Sequence, residues 1–166
     1  MATHTIESGE WVWIGRADEA TAQVDTGLGI ALYCPDYQEG LLAHVALDDA
    51  GNDLRYLLDN QDQLSMLYKR DIRAWVGGIA LPRREDGMQQ EEHDDEPQLL
   101  ALRRYVVDIL TDRGYRPRTD RVLWLPTDRS MTLTLRPEAG ILDAAILRRG
   151  QAPVRSAQPT RYLLAN

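Results

Sequence analysis

Cys34 is the chain's one cysteine, and His44 is one of its three histidines. Both fall in a single stretch, "DTGLGIALYCPDYQEGLLAHVAL", running from Asp25 to Leu47. A thiol and an imidazole are the parts of a nucleophilic dyad. The thiolate attacks a carbonyl carbon, and the imidazole moves the proton, provided the two lie within about 3 Å of each other. Asp25 and Thr26 stand close upstream, where either would orient the imidazole. Asp25 with His44 alone would form a general acid–base pair. Plainer roles compete with each of these. A lone cysteine on an apolar strand is usually a small buried hydrophobe, and a strand histidine is usually a half-buried, hydrogen-bonded one.

Other chemistries have thinner support. A zinc site needs three or four clustered ligands. His4 lies in an expected N-terminal tail, His44 in a strand and His93 in a polar loop, so no metal is expected. "EEHDDE" (Glu91–Glu96) reads as a solvated acidic loop. "TGLG" lacks the lysine of a phosphate loop and leads into an apolar run, so it enters a strand and no cofactor is expected. The 26 acidic residues offer no basis for choosing a catalytic carboxylate pair.

The elements that must position these residues follow from periodicity. Trp11 and Trp13 alternate in "EWVWIG" as in a strand. "IALYC" and "GLLAHVAL" form an antiparallel hairpin around Pro35–Glu39, apolar enough to be buried on both faces. Leu54, Leu57, Leu58, Leu64, Leu67 and Tyr68 make one face of a helix, capped by Asn52 or Asp53. "IRAWVGGIAL" is a strand with the pair Gly77–Gly78, and Pro82–Pro97 is a solvated loop with Met88 as its only large apolar residue. Leu99, Leu102, Val106, Ile109 and Leu110 mark a second helix that Gly114 stops. "RVLWLP", "SMTLTLR" and "ILDAAIL" are strands, the last two joined by "PEAG". The expected fold is α+β: a single-domain α/β sandwich of about eight mostly antiparallel strands and two main helices over residues 1–149. Residues 150–166 form a tail that is irregular until "YLLAN".

The 166 residues suit one domain with a real core. A formal net charge of −7 argues against a nucleic-acid binder, whose phosphate contacts need a basic surface. A single cysteine cannot close an intrachain disulfide. "MATHTIESGE" lacks the pattern of a signal peptide, and no apolar run approaches the ~20 residues that span a bilayer. A cytoplasmic protein without membrane insertion is expected. Oligomeric state is not constrained.

The order "GEWVW" (Gly9–Trp13), "VDTGLG…IALY" and "LLAHVALDD" resembles the CheD family of chemoreceptor glutamine deamidases. "AWVGG", the second helix with "RGY", and "MTLTLRPEAGILDAAIL" extend the resemblance more faintly over residues 8–149. It implies an α/β sandwich in which a cysteine thiolate attacks a glutamine carboxamide, ammonia leaves and water releases glutamate. It also implies a histidine base, here His44, oriented by a threonine hydroxyl or carbonyl, with Gly27, Gly29, Gly77 and Gly78 as pocket backbone. Receptor helices and a CheC-type phosphatase are the partners it implies. The departures fall on the chemical side. The family's "T-x-G-x-G-S-C" has no Ser-Cys counterpart after Gly29, where the chain passes into Ile30–Ala31. Asp25 stands at the family's threonine, with Thr26 beside it, and Asp48 replaces the proline after the histidine stretch.

Cys34 does not readily substitute. With Cys34 opposite Leu41, Ala31 is opposite His44, and the thiol lies three residues away, roughly 10 Å. The odd offset puts the two side chains on opposite faces. A one-residue slip would restore the face but leave ~7 Å. The reading is therefore a CheD-like protein-binding or regulatory module without its nucleophile, in chemotaxis or related bacterial signalling. The alternatives are an active deamidase using Cys34 and His44, and another acid–base or ligand-binding activity at Asp25 and His44.

Overall fold

The computed structural model describes residues 1–46, 52–65, 72–80, 96–126, 129–148 and 158–165. Two five-stranded sheets pack face to face, and two helices cover the far side of one of them. In chain order the elements are β1 (Thr3–Ile6), β2 (Trp11–Ile14), β3 (Glu19–Val24), β4 (Gly27–Cys34), β5 (Glu39–Val45), α1 (Asn52–Ser65), β6 (Arg73–Ala80), α2 (Glu96–Asp112), β7 (Val122–Trp124), β8 (Arg129–Arg136), β9 (Ile141–Arg148) and β10 (Thr160–Leu163). The first sheet has the order β1-β3-β8-β9-β10 and the second β2-β5-β4-β6-β7. Pairing is antiparallel except for β1 with β3 and β6 with β7. This is the α+β sandwich expected, with ten described strands rather than about eight.

The added strands lie at sheet edges. His4, expected in a tail, sits in β1 beside β3. Thr160–Leu163, within the stretch expected to be mostly irregular, pairs with β9 as β10. Neither segment alternates cleanly, so its extended form comes from the neighbour that accepts its backbone hydrogen bonds. Residues 66–71, including Leu67 and Tyr68, lie outside the described residues, as does the acidic loop up to residue 95.

Alternation along each strand divides the apolar residues between two cores. Ala31, Tyr33, Leu42 and Trp75 face the first sheet, where Met131, Leu133, Leu135 and Leu142 meet them. Leu28, Ile30, Leu32, Leu41, Ala43 and Val45 face the helices, against Leu54, Leu57 and Leu58 of α1 and Val106, Ile109 and Leu110 of α2. Strand β4 is central to the second sheet and buried along its whole length, which is why its sequence reads as a continuous apolar run. Gly114, at φ +85°, ends α2 as expected. Its N–H donates to Thr111 O (3.0 Å) and that of Tyr115 to Leu110 O (2.8 Å), satisfying two carbonyls of the last turn.

Candidate functional site

The candidate residues gather where the chain crosses from one sheet to the other. Strand β3 ends at Val24 in the first sheet, and β4 begins at Gly27 in the second, so only Asp25 and Thr26 make the crossing. So short a crossing needs a sharp bend, and Gly27 supplies it at φ +81°. Its absent side chain also matters, because a Cβ there would lie 2.4 Å from Val45 O.

His44 closes this corner from β5. Its Nε2 lies 2.8 Å from Thr26 O. A carbonyl only accepts, so Nε2 carries the proton and donates it. In the neutral ring Nδ1 is then an acceptor, and it is buried without a hydrogen-bond partner. His44 itself is buried. Asp25, by contrast, is exposed, and its Oδ1 accepts from Gln23 Nε2 at 3.3 Å. His44 is thus oriented by the backbone of Thr26.

The hairpin register separates Cys34 from this corner. Cys34 stands opposite Glu39, and His44 opposite Gly29. The expected pairing of Cys34 with Leu41 is therefore corrected by two residues. Glu39 joins the ladder, and the turn closes through Pro35–Gln38, with Gln38 at φ +50°. A two-residue correction keeps the faces but lengthens the gap. Cys34 now lies five positions along β4 from the residue facing His44, or about 17 Å. The two side chains point to opposite faces of the sheet. Cys34 is buried, as expected of a small strand hydrophobe.

The four glycines do come together. Gly29 pairs with both His44 and Gly77, and Leu28 pairs with Gly78. Packed atoms occupy the space beside them. A Cβ on Gly29 would meet Leu133 Cδ1 at 2.4 Å, one on Gly77 would meet Trp75 Cη2 at 2.4 Å, and one on Gly78 would meet Gly27 O at 2.6 Å. These glycines let the sheets and the Trp75 ring approach closely. Ala31, two residues beyond Gly29, is on the same face as His44 and diagonal to it. Among the described residues no three His, Cys, Asp or Glu side chains cluster as metal ligands, and no helix is long and apolar enough to cross a membrane. Glu91–Asp95 lie outside the described residues.

Two polar arrangements go beyond what the sequence pattern announces. Gln61 is buried, and its Oε1 accepts from Trp13 Nε1, tying α1 to β2. Its place seven residues after Leu54, on the leucine face of α1, is the one signal that points to it. Asp143 is 7% exposed, and it receives Arg161 Nε at 2.8 Å and Arg136 Nη1 at 2.7 Å. The Arg161 hydrogen bond chiefly holds its carboxyl below the usual carboxylate range; burial opposes this, and Arg136 helps. Arg136 also reaches Glu19 (2.9 Å), so the network spans β3, β8, β9 and β10. Sequence alternation marks the β9 stretch simply as a strand. A scan against protein-family models finds no match for this chain, and no curated protein matches it.

Proposed function

We propose that the chain is a CheD-like domain that has lost the deamidase nucleophile and acts as a protein-binding or regulatory module, cytoplasmic and within chemotaxis or a related signalling pathway. One observation carries the reading. The face of β4 that His44 shares offers Gly29 and Ala31, while the thiol of Cys34 is on the other face and five positions away. Ala31 falls where the resembling family carries its cysteine, two residues after the second glycine of "GLG". The imidazole is held by Thr26 O, which is how the family resemblance would have its base oriented, and no thiol adjoins it. Neither alternative gains a comparable observation. Asp25 is exposed and accepts from Gln23 Nε2, the imidazole Nε2 donates to Thr26 O, and Cys34 stands five positions along β4 from the residue opposite His44.

By the same resemblance, the partner is a receptor-type helix or a CheC-type phosphatase. The test is to mix the protein with a glutamine-bearing chemoreceptor fragment and follow association and ammonia together. The reading predicts association without ammonia release. Ammonia release that is lost in Cys34→Ser or His44→Ala would overturn it.

A further inference from the structure

Strands β6 and β7 run parallel, so a crossover must join them, and α2 lies on that crossover. The helix runs back along the sheet. Its first half lies beside the carboxyl ends of the two strands, where Gly78 pairs with Trp124 and Leu125 N donates to Gly78 O at 3.1 Å. In open α/β sheets, ligands bind outside the carboxyl ends of parallel strands. Arg103, about two turns into α2, reaches this place. Its Nη2 donates to Leu125 O at 3.2 Å, and its guanidinium carbon lies 5.7 Å from the centre of the Trp124 ring.

The guanidinium is short of partners. Its Nε is buried and has no hydrogen-bond acceptor. Among the described residues, no carboxylate forms an ion pair with it. Burial lowers its pKa, and no opposite charge counters that effect. An arginine kept for packing alone lays its stem on apolar surface and holds its head in water. Here the inner edge of the head is sealed, and one carbonyl and one aromatic face offset the lost hydration only in part.

We propose that Arg103 anchors a carboxylate-binding site at the carboxyl ends of β6 and β7, beside the Trp124 ring. Arg103 and Trp124 are both half-buried, so solvent reaches the site. The ligand class follows from charge and shape. Arg103 brings one positive charge, and the chain as a whole carries −7, which favours a monoanion over a phosphate dianion. The planar edge of a guanidinium matches the two oxygens of a carboxylate. Trp124 packs on the helix side of the second sheet, whereas His44 shares the face that meets the first sheet. The site is therefore separate from the His44 corner and does not rest on the deamidase resemblance.

Nuclear magnetic resonance of the full chain tests this through the Arg103 Nε–H peak, identified by its Overhauser contact with the Trp124 ring. Sodium acetate should move that peak and the Trp124 indole N–H peak together, saturating at millimolar concentration. Arg103→Lys keeps the charge and loses the planar edge, so it should weaken the acetate response of Trp124 by roughly tenfold. The wild-type titration decides alone if this variant does not fold. Peaks that ignore acetate, or that move equally in sodium chloride of the same ionic strength, overturn the proposal. A larger response to sodium phosphate than to acetate overturns the carboxylate assignment.

Discussion

His44 shows how one side chain can resemble a catalytic base and still serve the fold. Its Nε2–H pins Thr26 O at a two-residue crossing between sheets, and a part-buried carbonyl deprived of its donor is costly. His44→Leu should therefore lower stability by about 1–3 kcal/mol in urea unfolding; an unchanged midpoint would refute this role. Asp143 carries a second residue-scale prediction. Its carboxyl titrates below the usual range, chiefly because of Arg161, so its stabilisation is present above the unfolded value of about 3.9 and is lost as pH falls through the folded value. Asp143→Asn should cost roughly 1–2 kcal/mol at neutral pH, discounted because both arginines reach solvent. The deficit should shrink as the solution is acidified below pH ~4. A deficit independent of pH would contradict the ion-pair account.

At the scale of elements, two glycines with similar backbones separate conformational freedom from close approach. A Cβ added to Gly27, at φ +81°, would lie 2.4 Å from Val45 O, whereas one added to Gly114, at φ +85°, would meet nothing within 4 Å. Gly114→Ala should cost about 1 kcal/mol, the left-handed penalty alone. Gly27→Ala should cost several times more, because backbone must move as well. Equal losses of thermal stability would show that the crossing is looser than described. The same elements show what the residues disclose in advance. The second helix and its stop at Gly114 are legible, since leucine spacing and a C′ glycine are local signals. So is the burial of β4 on both faces. The strands β1 and β10 are not, because "THTI" and "TRYL" take their extended form from edge pairing. The hairpin register is not either. It depends on Gln38 adopting φ +50° and on Glu39 entering the ladder, which no apolar pattern announces.

The whole molecule places its chemistry-bearing residues by dividing one central sheet between two cores. One face of β4 packs on the first sheet and carries the neighbours of His44; the other packs on the helices and carries Cys34. A dyad would need both groups in the same core, and here β4 itself stands between them. Cys34 and His44 therefore act independently. The most direct measurement of this is the pH dependence of Cys34 alkylation by iodoacetamide under native conditions, in the wild type and in His44→Gln. Independence predicts slow modification of a buried thiol in both, with no limb of the profile that depends on the imidazole. Rapid modification near neutral pH that disappears in His44→Gln would reveal a thiolate–imidazolium pair and contradict it.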